Sequence, residues 1–229
     1  MPYSDYEPLL AHARNLDSAK PVPEAEIARY RGLLPDGLLE FWARHGNQLI
    51  FGDGFMQMCD PTTFAPIIQD WFEGDPEFNP KRLVVYALDS FGELRLCDGT
   101  TRNYGIHSQL SEFTIGQFNP PPTGEKYLDF FLAHVLKLGT VTPRFIDKDD
   151  LHNEAVAKHG PLSQGEMFTW VPALQIAERG NKIEKVDAEV QISILQELGP
   201  LKYIADNFSS DGIYLGTEFK RYIGSQNER

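Results

Sequence analysis

Residues 33–61, LLPDGLLEFWARHGNQLIFGDGFMQMCDP, place a helix, a strand, a turn and a second strand in one short stretch. Pro35 suits the first turn of a helix, where its missing N–H is not needed. Leu34, Leu38, Phe41, Trp42 and His45 then fall on one face at helical spacing, and Gly46 stands where the helix would stop. The run Gln48-Leu49-Ile50-Phe51 is closed by Gly52-Asp53-Gly54, and Phe55-Met56-Gln57-Met58 resumes an extended pattern up to Asp60-Pro61. Trp42, on the apolar stripe beside Leu38 and Phe41, is expected in the core.

Towards the N-terminus, Ser4-Asp5-Tyr6-Glu7 has capping-box spacing ahead of Leu9, Leu10 and Ala13, and Pro23-Glu24 opens a second short helix through Ile27 and Tyr30. On the other side, Asp60-Pro61 starts a helix with Phe64, Ile67, Ile68, Trp71 and Phe72 at three- and four-residue intervals, ended by Gly74-Asp75-Pro76. Leu83–Leu88 is a nearly continuous apolar run, as in a central strand, whereas Leu94–Cys97 alternates, as in a strand with one solvated face. Asp98-Gly99 is a hairpin-type turn, followed by strand candidates at Tyr104–His107 and Phe113–Phe118. The sum is an antiparallel meander.

After Pro120-Pro121-Pro122, Thr123 caps a helix carrying Tyr127, Leu128, Phe131, Val135 and Leu138, which Gly139 stops. Gly139–Pro143 is the expected boundary between residues 1–139, which should fold alone, and residues 140–229. No flexible linker composition marks it. The second part reads as a helix at Leu151–His159, a strand at Met167–Pro172 extended by Ala173–Ile176, and a long helix marked by Ile183, Val186, Val190, Ile194 and Leu198. The segment Val190–Ile194 also alternates like a strand; length favours the helix. The fold class is α+β: an antiparallel meander flanked by helices, followed by a smaller α+β part.

The 229 residues are 41% hydrophobic and 24% charged, with a formal net charge of −12. That charge argues against a nucleic-acid or anionic-membrane surface and favours a basic protein partner. The N-terminus MPYSDYEPLL lacks the basic and apolar regions of a signal peptide, and the chain reads as cytoplasmic. Cys59 and Cys97 stand far apart without a CxxC, as buried thiols would.

Catalytic signatures are missing. His152 and His159 lie seven apart on one helix face, too far for the i, i+4 geometry of a shared metal. Gly52-Asp53-Gly54 is followed by no Lys-Ser or Lys-Thr and opens no helix, and Asp89-Ser90-Phe91-Gly92 lacks the other parts of a kinase site. No metal, cofactor or enzyme activity is expected.

The order and spacing of Leu34-Pro35, Trp42, Gly46, Gly54, Pro61, Trp71 and Ser90-Phe91-Gly92 resemble the GAD-like domain family. HGPLSQGEMFTWVPAL and KIEKVDAEVQISILQELG resemble the uncharacterised C-terminal domain that usually accompanies it. The first part is also similar to the SUKH superfamily in its Leu-Pro helix start and the glycine after its aromatic residues. The resemblance implies an immunity protein that binds and neutralises a cognate type VI secretion toxin, notably a DNase, in a stoichiometric complex. The alternatives are a SUKH-like regulatory adaptor with several partners, or a hydrolase or toxin-modifying enzyme. A nuclease needs a basic surface to hold phosphates, which an acidic ligand can occupy. The expected toxin-binding residues are Glu73, Asp75 and Glu77, in a loop free to present them, the adjacent aromatic pair Trp71 and Phe72, and Asp53.

Overall fold

The computed structural model describes residues 7–100, 102–116, 148–177, 181–208 and 214–224. The fold is α+β. Helices α1 (Glu7–Leu10), α2 (Glu24–Ile27), α3 (Asp36–His45) and α4 (Pro61–Phe72) belong to the N-terminal part. Strands β1 (Ile50–Phe51), β2 (Met56–Met58), β3 (Val84–Asp89), β4 (Glu93–Cys97), β5 (Asn103–His107) and β6 (Glu112–Gly116) run antiparallel, each beside the next. This is the meander read from the sequence. Helix α5 (Lys148–His159), the hairpin β7 (Glu166–Val171) and β8 (Lys182–Asp187), helix α6 (Ala188–Glu197), and strands β9 (Lys202–Phe208) and β10 (Tyr214–Tyr222) follow.

Local chemistry accounts for the helix ends. Asp60 accepts a hydrogen bond from Thr62 N at 2.9 Å while Pro61 occupies the first turn of α4, where no N–H is required. Pro35 stands one residue ahead of α3 as its N-cap, and Gly46 closes that helix at φ 90°. A Cβ on Gly46 would collide with the carbonyl oxygen of Lys20, so the position needs glycine for space as well as for its dihedral.

The main sheet has eight strands in the order β1-β2-β3-β4-β5-β6-β9-β10. β9 lies parallel to β6, pairing Glu112 with Lys202 and Thr114 with Ile204, so residues on both sides of the expected 139/140 boundary complete one sheet. The boundary and the helix expected after Thr123 lie outside the described residues. The core is shared in the same way. On one sheet face Phe41, Trp42, Phe51, Met56, Met58, Tyr86 and Ala87 pack together. On the other, Phe64, Ile68, Trp71 and Phe72 of α4 meet Val85, Leu88, Leu94 and Phe113, together with Met167, Ala188, Ile192, Leu201 and Ile223 from the C-terminal part.

A polar network reinforces this union. Gln57, buried on β2, donates to the Glu166 carbonyl at 2.7 Å and accepts from Gly165 N at 2.8 Å. Phe168 N donates to the Ser90 carbonyl at 2.7 Å, and Gln109 accepts from Thr169 Oγ1 at 3.1 Å. Buried amides that satisfy each other across two segments hold them in a single register.

Three sequence expectations change. Ile183 and Val186 lie in β8, because β7 offers them a pairing partner, and the helix begins only at Ala188. β7 ends at Val171, and Ala173–Ile176 form a turn beyond Pro172. The polar face of β4 is not open to water: the Glu93 and Arg95 side chains are 5% and 12% exposed and stand 2.9 Å apart, Glu93 Oε1 to Arg95 Nη2.

Candidate interaction surface

The six residues expected to bind a toxin do not form one surface. Trp71 and Phe72 are buried in the α4 core, with Phe72 edge-on to Phe113 at 5.2 Å between centroids. The three- and four-residue spacing that identified the helix puts both on its inner side, so neither is presented to a partner as a toxin-binding residue would be.

Asp75 is corrected as well. Its side chain has no exposed area and accepts five hydrogen bonds. Oδ1 receives Glu77 N and Phe78 N, each at 3.0 Å, and Arg221 Nη2 at 3.1 Å. Oδ2 receives Arg221 Nη1 at 2.6 Å and Gly224 N at 2.9 Å. Burial alone would raise the Asp75 pKa, but the Arg221 guanidinium and these backbone donors outweigh it and hold the carboxyl below its usual value. Arg221 also lies over the Phe78 ring, 5.5 Å from its centroid, and reaches Glu77 Oε2 at 3.3 Å. The loop that looked free is therefore fastened to β10. Glu77 also stands 3.6 Å from Arg102, and Glu73 is exposed.

Asp53 is exposed in the β1–β2 turn, 3.6 Å from Arg14 Nη1. That turn belongs to the opposite edge of the sheet from β10, where Asp75 is docked. Its backbone carbonyl accepts from Leu162 N at 3.0 Å, and a Cβ on the neighbouring Gly54 would collide with Leu162 Cβ.

Among the described residues no group of three or more His, Cys, Asp or Glu side chains could hold a metal ion. Cys59 and Cys97 are buried free thiols; burial, reinforced by adjacent Asp98, pushes Cys97 up to about 12 and burial raises Cys59 further. Thiols so disfavoured as thiolates are poor nucleophiles. His107 Nε2 lies 3.5 Å from Glu93 Oε1, extending the Glu93–Arg95 pair, and both side chains are buried in the sheet. His152 is buried with its Nδ1 unsatisfied, edge-on to Phe55 at 5.3 Å.

Exposed apolar side chains mark a different surface. Val190, Ile194 and Leu198 are 60%, 48% and 39% exposed, and their i, i+4, i+8 spacing makes one stripe along α6 that ends on its C-cap residue, Leu198. Ala188, Ile192 and Leu195 of the same helix are fully buried. The helix thus has two apolar faces, one in the core and one outside. Of the residues whose spacing marked this helix in the sequence, Val190, Ile194 and Leu198 lie on its outer face. Ile176 is 65% exposed near the same end of the molecule: Gln175 Nε2 donates to Ser111 Oγ at 2.6 Å, and Lys202 N donates to the Ser111 carbonyl at 2.8 Å.

Leu215 and Phe219 are also exposed, on the edge strand β10. Register shifts at Tyr214/Gly216 and Phe219/Arg221 interrupt that strand, and it carries an exposed Lys220–Glu218 ion pair at 2.6 Å. Such bulges and charges blunt an edge against strand addition. Among the described residues no helix is long and apolar enough to cross a membrane.

Residues 5–109 match the GAD-like domain family, the segment that contains α1–α4 and β1–β5. The whole fold is similar to the crystal structure of Atu4351 from Agrobacterium tumefaciens, with a TM-score of 0.73 over 96% of this chain and 98% of that chain. Identity to it is 21%, so the likeness concerns the fold. No curated protein matches the chain.

Proposed function

We propose that this protein is an immunity protein, a binding module that neutralises a cognate type VI secretion toxin by forming a stoichiometric complex with it, the toxin being a basic DNase. The observation that carries this reading is the GAD-like match at residues 5–109 in a chain of net charge −12. An acidic ligand can cover the cationic surface with which a nuclease holds phosphates, and its field speeds the encounter.

The test is to express the products of the genes adjacent to this one and to titrate any that cleaves DNA with this protein, following the cleavage; finding none that cleaves DNA would remove the DNase reading. Activity should fall linearly to an endpoint at a fixed molar ratio, coincident with a complex on size-exclusion chromatography. Full protection at a small fraction of the toxin concentration would replace this reading with a catalytic one. Undiminished cleavage in excess protein would remove it.

A further inference from the structure

We infer that the outer stripe of α6, Val190, Ile194 and Leu198, is a docking face for a basic amphipathic helix of a partner protein; the identification of that helix with part of the toxin rests on the immunity reading. Three apolar residues at four-residue intervals span about 12 Å along the axis, at ~1.5 Å rise per residue. A straight apolar ridge of this kind is matched by the ridge and groove of a second helix. Its exposure is not a by-product of a helix too apolar to orient, because Ala188, Ile192 and Leu195 already fill the inward face.

Charge selects the occupant. Between Asp187 and Leu198 the chain carries Asp187, Glu189 and Glu197 and no lysine or arginine. Glu189 and Glu197 are exposed, and Asp187 caps the helix by accepting from Val190 N at 2.9 Å. The nearest preceding base, Lys185, is 3.7 Å from Glu166. A second copy of this helix would bring like charges together across the stripe, which disfavours a homodimer. A helix with apolar residues on one face and lysine or arginine beside them would satisfy both the stripe and its acidic flank.

The experiment uses the full chain and Ile194→Glu, whose site is exposed enough that the melting temperature should stay within a few degrees of wild type. Glu189→Lys/Glu197→Lys is a second variant that keeps the stripe and reverses its flank. The first probe is a synthetic helical peptide with a leucine face and a lysine face, paired with a twin carrying glutamate for lysine, both measured by fluorescence anisotropy. Binding of the lysine peptide, weakened at least tenfold by either variant, with none of the glutamate peptide, is the expected result. Equal binding of the lysine peptide to wild type and Ile194→Glu, or no binding, would overturn the docking face. A wild-type dimer in sedimentation equilibrium that Ile194→Glu dissociates would assign the stripe to a second copy instead. The second probe is the nuclease found by the neutralisation test of the immunity reading. If wild type and Ile194→Glu neutralise it equally, the stripe is not the toxin's site and the immunity reading stands. If wild type does not bind it, the immunity reading falls and the peptide result alone decides the stripe.

Discussion

The Arg221 guanidinium grips the Asp75 carboxylate end-on, Nη1 to Oδ2 at 2.6 Å and Nη2 to Oδ1 at 3.1 Å, across 146 residues of sequence. This two-pronged pair, with three backbone N–H groups on the same carboxylate, ties the loop after α4 to the last strand. Removing one partner strands a buried charge, and since Arg221 keeps some exposure the cost should be about 3 kcal/mol. Reversing Glu73, Asp75 and Glu77 to lysine should therefore lower the melting temperature markedly, through Asp75. Glu73→Lys alone should leave it nearly unchanged, because exposed charges contribute little. Thermal melts of the triple and single variants separate the two; a triple variant as stable as wild type would show that the pair does not hold the fold.

The same pair sets an acid limit. The folded Asp75 pKa lies below its unfolded value, so its contribution is fully present above the usual carboxylate range and is lost as pH falls through the folded pKa. His152 acts at a higher pH. Burial against Phe55 lowers its pKa from 6.5, although Asp53 and Asp89 pull the other way. Below about pH 6.5 the unfolded chain binds a proton that the folded one resists, so stability falls as pH drops through that window. Urea denaturation between pH 7.5 and 5 should show a decline that His152→Phe reduces. An unchanged slope in the variant would assign the decline to other groups.

Trp42 is fully buried and meets Tyr30 edge-on at 5.9 Å between ring centroids. Trp42→Ala should cost ~3–5 kcal/mol, a large share of a domain's stability, and any loss of the proposed toxin binding should follow from that. A variant with wild-type stability and no binding would place Trp42 at an interface.

Residues 1–139 without the rest lose Met167, Ala188, Ile192, Leu201 and Ile223 from the larger core cluster and β9 from beside β6. That fragment should melt without a cooperative transition or well below the full chain. A sharp transition near the full-length temperature would make it an autonomous unit.

Local signals were legible where the determinants are local. Asp60-Pro61 starts α4 through its own carboxylate and ring, and the Gly46 stop, the Asp98-Gly99 turn and the β3–β4 strands all stand where the pattern put them. The glycines carried more than the pattern could say. Gly92, at φ 83°, would bring a Cβ to 2.6 Å from Ser108 Oγ and into Met167 Cε, a restriction set by residues far along the chain. In the same connection Asp89 Oδ1 accepts from Phe91 N at 2.9 Å and Glu93 N at 2.8 Å, and the Phe91 ring packs 4.9 Å from Trp170.

The sequence by itself determined the meander, the short helices and the acidic character, because periodicity, turn chemistry and charge act over a few residues. Only the tertiary structure decided which residues meet water. Periodicity shows that α6 has an apolar stripe but not that Ile192 and Leu195 occupy the core while Val190 and Ile194 remain outside. It likewise shows that Asp75 follows a helix, but not that Arg221 folds back from the last strand to bury it. Exposure and ion pairing depend on partners brought together from distant segments, and no local pattern in this chain specified those partners.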